Sequence, residues 1–468
     1  MSRLLIYPPF ADPTQPYLSL PTLKGHLRSK GLDARVLDLN IEAVHHLLGS
    51  EELEALARKI GRRFVELNRR KELSFDAERE YVALADARAG IGDLLAAEPP
   101  PIDVFRTREH FFDAPLYTQA RRRMEAFFQA LGAAHFPYRY GFNRAGHEVL
   151  PWSFDLLEEY CAEARSPLDR FYRKVLDPLP DWDPAEEGIG GIFLDDLEFA
   201  GISIVFPSQV PEALYLARFL RAHAPGAFIA LGGPCLHQIA HGMDPGRLRR
   251  LLGFADGLCL FEGEETLVRL FPLLPAWRDA SEPTARSAIL SDVPNLLLAD
   301  PASGETRLGP RSAVDLETAA PPDWSDLDLD RYLAPSRILL FAPTRGCYWN
   351  RCSFCRYGLS ETATAAYREV PPERSAAQIA KLSKRHGVRN FYISCDVLSP
   401  SYALRFAQAL IDRGLKIRWS SDLKPEKYFT PERCEVLQRS GLRSAAFGVE
   451  SGSDRVLGLS PRATMWLL

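Results

Sequence analysis

Apolar residues in this chain alternate between two rhythms. Leu4 to Tyr7 is a short apolar run closed by Pro8-Pro9, which predicts a buried strand. Leu20, Leu23 and Leu27 then recur at helical spacing, and Lys30-Gly31 ends that helix. Ala34 to Leu39 predicts a second strand, so the opening reads as the start of a parallel sheet. From about Ile41 to Gly190 charges interleave with Leu, Ala and Phe at helical intervals. Pro99-Pro100-Pro101 divides this stretch and Pro178 to Pro184 closes it. Residues 41–190 are therefore expected to be a helical insertion. Phe111-Phe112, Phe127-Phe128, Tyr138 and Tyr140 are its expected core aromatics.

The α/β rhythm returns at Phe199. Gly201 to Phe206 predicts a strand and Pro211 to Arg221 an amphipathic helix. Phe228 to Leu231 predicts a strand running into Gly232-Gly233-Pro234. Gly257 to Phe261 predicts another, running into Glu262-Gly263-Glu264, with a helix from about Glu265. With the first two strands these make a five-stranded doubly wound unit over residues 1–40 plus 191–275. Ligands of such sheets bind beyond the carboxyl ends of the strands. Residues 276–331 are rich in Pro, Asp, Ala and Ser and predict a linker, with a hairpin from Asn295 to Leu298 and Thr306 to Leu308. A second α/β run fills residues 332–468. Its strands are expected at Ile338 to Ala342, Asn390 to Ser394, Lys416 to Ser420 and Ser444 to Val449. Helices at Arg374 to His386, Ala403 to Arg413 and Pro431 to Ser440 separate them.

Composition narrows the class. The 468 residues are 46% apolar and 25% charged, as in a globular protein of two or three domains. A net charge of −4 gives no global positive field for nucleic acid or anionic lipid. Arg121-Arg122-Arg123 reads as a solvated helix face. The first apolar run is too short for a signal peptide, and no stretch approaches the roughly 20 apolar residues of a membrane span. A cytoplasmic protein is expected. Eight cysteines are too sparse for a disulfide scaffold, yet Cys347, Cys352 and Cys355 fall within nine residues, which points to metal.

These three cysteines follow a strand, so their thiolates gather at the carboxyl mouth of a parallel sheet. Iron–sulfur cubanes take one thiolate per iron, and three thiolates leave one iron open. An open iron can bind the amino and carboxylate groups of S-adenosylmethionine, and electron transfer into the sulfonium releases a carbon radical. Zinc is the competing reading. It would want a fourth ligand, and His386 and Cys395 each lie at least thirty residues past Cys355.

The cysteine loop, with Phe354 just before the last cysteine, resembles the signature of the radical S-adenosylmethionine superfamily. The superfamily spacing is three residues then two, whereas here it is four then two, so Tyr348, Trp349, Asn350 and Arg351 must absorb one residue. The resemblance continues through Asn390 to Asp396, Trp419 to Asp422 and Phe447 to Ser453. It implies that Phe354, Asp396, Ser421, Glu450 and Ser451 contact S-adenosylmethionine. Read plainly, Asp396 is a solvated side chain, Glu450 to Ser453 is a turn, and Cys395 is a small buried strand residue.

The first unit resembles the cobalamin-binding domain that precedes the barrel in one branch of that superfamily. The matching pieces are Pro8-Pro9, Ser208-Gln209, Gly232-Gly233-Pro234 and Glu262-Gly263-Glu264, and they are the implied cobalamin contacts. Strand-end glycines would let a large flat ligand approach the backbone. The loop from Pro8 to Tyr17 has no histidine, and His26, His237 and His241 read as surface residues. The resemblance thus implies a cobalt without a protein histidine ligand.

The expected fold is α/β: an N-terminal doubly wound (Rossmann-like) cobalamin-type domain with a helical insertion, then a partial (β/α) radical-SAM-type barrel. The implied activity is a cobalamin-dependent radical reaction using a 4Fe–4S cluster, S-adenosylmethionine and an external electron donor. Methylation of an unactivated carbon of a natural-product or peptide substrate is one outcome, and radical cyclisation or rearrangement is another. Superfamily barrels usually have about six β/α steps, against four expected here. A third reading is therefore a truncated, non-catalytic cluster-binding protein, or one whose barrel a partner chain completes.

Overall fold

The computed structural model describes residues 2–147, 153–162, 166–176, 194–300, 303–349, 367–453 and 455–456. The strands of the described chain are β1 (Ser2–Tyr7), β2 (Arg35–Asp38), β3 (Tyr138–Gly141), β4 (Arg144–His147), β5 (Leu197–Ser203), β6 (Phe228–Gly232), β7 (Gly257–Cys259), β8 (Leu296–Ala299), β9 (Thr306–Leu308), β10 (Ile338–Phe341), β11 (Thr344–Arg345), β12 (Arg368–Glu369), β13 (Asn390–Leu398), β14 (Arg418–Leu423) and β15 (Leu442–Phe447). The first sheet has the order β2-β1-β5-β6-β7-β8-β9. Its strands are parallel from β2 to β7, and β8 and β9 join antiparallel.

Alternate residues of these strands enter different cores. Leu4 and Ile6 of β1 pack into one apolar core, Leu5 and Tyr7 into another. Both faces are covered, so the strands appear in sequence as unbroken apolar runs. The same rule corrects the expected linker. Leu297 packs into the first core, while Leu296 and Leu298 pack into the second. A run that must be buried on both sides cannot sit in an exposed connector, and it becomes the antiparallel edge of a seven-stranded sheet.

The region expected to be a helical insertion contains the long helices Ser50–Asn68, Phe75–Leu95 and Ala114–Ala134, together with the β3–β4 hairpin. Two expectations there need correction. Arg123 is not solvated: it is buried and reaches Asp93 with Nε at 3.1 Å and Nη2 at 3.0 Å. Phe112 is 66% exposed rather than core, because the short helix Arg108–Phe111 before it buries no residue.

Residues 321–333 wrap the first unit. Arg28 pairs with Asp323 at 2.8 Å, the Val36 amide donates to Asp326 at 2.7 Å, and the Tyr332 hydroxyl donates to Asp38 at 2.7 Å. The second sheet follows, parallel throughout, in the order β10-β13-β14-β15. Helices Pro372–His386, Pro400–Asp412 and Pro431–Arg439 alternate with its strands. β13 runs on past Ser394 to Leu398, so Asp396 lies within the strand, where its register to β14 shifts.

Candidate functional site

The carboxyl ends of the two sheets meet at one cavity of about 690 Å³. Ser203 and Gly232 bring the first sheet to its wall, Phe341 and Asp396 bring the second, and Cys347 lies between them. Val314 and Leu316, from the expected linker, close it with apolar surface.

The cysteine loop leaves and returns through a two-residue antiparallel ladder. Thr344 pairs with Glu369 and Arg345 with Arg368. Both arginines turn to the first domain. Arg345 Nη1 lies 2.9 Å from Glu262 Oε2, its Nη2 pairs with Glu264, and Arg368 Nη2 pairs with Glu262 Oε1. The side chains of Glu262 and Glu264 are each only 5% exposed. Burial alone would raise the Glu264 carboxyl, but the charge and hydrogen bonds of Arg345 outweigh it and hold it below its ordinary value.

The loop after Cys347 is also held from the barrel side. The Tyr348 hydroxyl donates to Glu426 Oε1 at 2.7 Å, and Lys424 Nζ sits 3.7 Å from the centre of the Trp349 ring. Two of the four residues that must absorb the longer cysteine spacing thus have fixed partners just beyond β14.

The sequence-derived candidates divide sharply. Gly232, Gly233, Pro234, Glu262, Gly263 and Glu264 line the cavity. Pro8, Pro9, Ser208 and Gln209 do not; Ser208 and Gln209 instead join their loop to the one after β1. Ser208 Oγ donates to the Phe10 carbonyl at 2.7 Å, and Gln209 Nε2 donates to the Pro8 carbonyl at 2.6 Å. Gln209 Oε1 accepts from the amides of Val205 and Phe206 at 2.8 and 2.9 Å. The reason for glycine at 233 is also internal. Its φ is +103°, and a Cβ there would lie 2.4 Å from the Ile204 carbonyl oxygen.

Of the implied S-adenosylmethionine contacts, Asp396 opens onto the cavity. Ser421 is buried behind the wall and donates to the Ile393 carbonyl at 3.1 Å. Glu450 is exposed past the end of β15, and Ser451 closes a turn there, its amide donating to the Val449 carbonyl at 2.6 Å. Cys352, Cys355 and Phe354 lie outside the described residues. Cys395 lines the cavity, and burial pushes its thiol up to about 12.

His26 and His237 are not surface residues. Both are buried in the cavity wall, His26 Nε2 lying 3.1 Å from Glu265 and the His237 ring centroid 4.6 Å from that of Phe261. Sequence reasoning missed Arg345 and Arg368 altogether. The available signal was the reverse one: two carboxylates at a buried strand end require cations somewhere.

No family model matches the chain, and no curated protein matches it by sequence. Solved structures do. The chain is similar to TsrM, a radical S-adenosylmethionine methyltransferase from Kitasatospora setae, solved with cobalamin and a 4Fe–4S cluster bound: 13% identity over 100% of this chain and 62% of that one, TM-score 0.50. Against TsrM with tryptophan substrate and the analogue aza-SAM the identity is 13% over 99% of this chain and 62% of that one, TM-score 0.51. The cobalamin-dependent radical enzyme OxsB matches at 18% identity over 58% of this chain and 38% of its own, TM-score 0.44. The fold is that of a cobalamin-dependent radical S-adenosylmethionine enzyme. This chain spans less than two thirds of the length of those proteins.

The residues present fit the cofactors of that fold. By sequence, Cys347, Cys352 and Cys355 offer the three thiols of an iron–sulfur cubane with an open iron, and Cys347, the one among the described residues, lines the cavity. The ladder of β11 and β12 joins the two feet of the cysteine loop, of which Thr344 and Arg345 line the cavity. Among the described residues no group of three or more His, Cys, Asp or Glu is placed to hold a metal ion. The opposite wall is built of Leu18, Leu23, Leu231 and the glycines at 232, 233 and 263, apolar surface suited to the face of a macrocycle. No helix among the described residues is long and apolar enough to cross a membrane.

Proposed function

We propose that this chain is a cobalamin-dependent radical S-adenosylmethionine enzyme that methylates an unactivated carbon of a natural-product or peptide substrate. The observation that carries the reading is the single cavity shared by the carboxyl ends of both sheets, with Cys347 at its wall. When bound, the cluster supplies the electron that cleaves S-adenosylmethionine, and cobalamin supplies the methyl group.

The chain's own residues hold and orient. Cys347, Cys352 and Cys355 would ligate the cluster. Asp396 would receive the ammonium of S-adenosylmethionine, a charge-assisted contact from an open carboxylate. Gly232, Gly233, Pro234, Gly263 and the apolar wall would seat the corrin and exclude water from the reacting carbon. Ser421, Glu450 and Ser451 do not line this cavity, and their contact with S-adenosylmethionine is proposed on the resemblance alone. Cobalt is proposed to lack a protein histidine ligand, because the loop from Pro8 to Tyr17 holds no histidine and His26 is paired with Glu265 at 3.1 Å.

Anaerobic reconstitution with iron and sulfide tests the reading. About four irons per chain are expected, lost when all three cysteines become Ala, and zinc or no metal ends it. The Co(II) EPR spectrum of bound cobalamin should carry no imidazole coupling. A product gaining one methyl group supports methylation, whereas an isomeric or dehydrogenated product supports rearrangement or cyclisation.

A second reading keeps the cofactors without turnover. It is favoured by β15, the outer strand of the second sheet among the described residues, where Phe447 is 48% exposed and Val449, just beyond, is 49% exposed. Such an edge pairs with further strands. If a partner chain supplies them, the purified chain alone binds cluster and cobalamin yet forms no product until the partner is added.

A further inference from the structure

We infer that Glu262 and Glu264 are positioning residues that staple the cysteine loop to the cobalamin-type domain, and that their carboxylates are not cobalamin contacts. The inference rests on the reading above only in taking Cys347, Cys352 and Cys355 as cluster ligands.

Arg345 and Arg368 lie far apart in sequence, and the ladder that pairs them is two residues deep. A ladder so short cannot hold by backbone hydrogen bonds alone. Its directly opposed pair, Arg345 and Arg368, places like charges across from each other, which would push the feet apart. Glu262 reverses that sign. One carboxylate oxygen takes Arg345 and the other takes Arg368, so a single side chain clamps both feet. Glu264 holds Arg345 a second time.

The clamp is itself anchored in the first domain. Asn295 Nδ2 donates to the Glu262 carbonyl at 2.8 Å, and the Val314 amide donates to Glu262 Oε2 at 2.8 Å. Phe261, just before it, is held at φ +60°, with the Arg311 guanidinium 4.5 Å over its ring. A non-glycine residue held there needs surrounding contacts to fix it. Gly263, between the two carboxylates, faces the cavity. The same turn therefore lines the cavity and gives its two carboxylates to the arginines at the feet of the cysteine loop.

The test uses the full chain and Glu262→Gln, which keeps the shape and removes the shared charge. In the metal-free protein, hydrogen exchange over 343–349 and 367–370 should accelerate about tenfold while β5, β6 and β7 keep their protection. After reconstitution the reduced cluster should give a shifted or heterogeneous EPR signal, while the affinity for hydroxocobalamin stays within about threefold. Unchanged exchange at the loop feet overturns the staple. Cobalamin affinity lost with exchange unchanged overturns it too, and makes the carboxylates corrin contacts. Should Glu262→Gln fail to fold, Glu264→Gln removes one hold on Arg345 and must show the same exchange change at smaller size. A wild-type chain that takes up no iron overturns the functional reading, and the exchange experiment on that same metal-free chain still decides the staple.

Discussion

The first domain buries carboxylates at two interfaces, and the two are neutralised by different chemistry. Toward the barrel, Glu262 and Glu264 meet guanidinium groups, and Arg345 keeps Glu264 ionised despite burial. Toward the helices of the insertion region, Glu212 on helix Val210–His223 meets hydroxyls. Tyr160 donates to it, as do Ser166 at 2.8 Å and Tyr172 at 2.9 Å. Glu212 is fully buried, and burial raises its carboxyl to about 7 against those three bonds. Hydroxyls can orient a carboxylate but bring no net charge, so burial wins there and loses beside Arg345. Beside Arg345 the Glu264 carboxyl is held below its ordinary value, whereas Glu212, raised to about 7, changes protonation near neutral pH.

The largest test of that contrast is Glu262→Ala. Breaking one side of a buried ion network costs about 3–5 kcal/mol. Because Arg368 is 24% exposed, the lower end is expected, read as a shift in denaturant midpoint at pH 7.

Next in size is the pH response of Glu212. The folded chain holds the Glu212 proton more tightly than the unfolded chain. Its contribution to stability is therefore full below about pH 4.5 and is lost as pH rises to about 7. Up to about 3 kcal/mol should disappear across that window. Glu212→Gln should flatten this part of the stability profile, and an unchanged slope would remove the proton-holding role.

Tyr172→Phe takes one donor from Glu212 and should cost about 1–2 kcal/mol, more at pH 8 than at pH 5, because the bond favours the charged form. Smallest is Lys424→Met, which removes the cation over Trp349. About 0.5–1 kcal/mol is expected, with a slight change in the cluster's EPR line shape and no change in pH response.

Much of the fold was legible from apolar periodicity. The strands of both sheets fall within a few residues of their expected places, since runs such as Leu4 to Tyr7 and Phe228 to Leu231 are buried on two faces. The hairpin at β8 and β9 was legible as a hairpin but not as a sheet edge. Its flanking Pro and Asp residues mark exposed turns whatever the strands pair with. The site was legible in part. Cys347 follows its strand into the cavity, and Gly232 and Gly233 reach its wall. Ser208 and Gln209 sit at a strand end too, yet their polar groups satisfy the neighbouring loop instead.

What the sequence by itself determined about this protein is the succession of elements and the position of the thiol loop after β10. Those follow from contacts within a turn or two and from the two side-chain periods. Only the tertiary structure decided what Glu262 and Glu264 do. Their partners stand 106 and 81 residues away along the chain, at Arg368 and Arg345. A charge finds its counter-charge through space, so a pairing that depends on which two strand ends the folded sheets bring together leaves no periodic trace in the residues themselves.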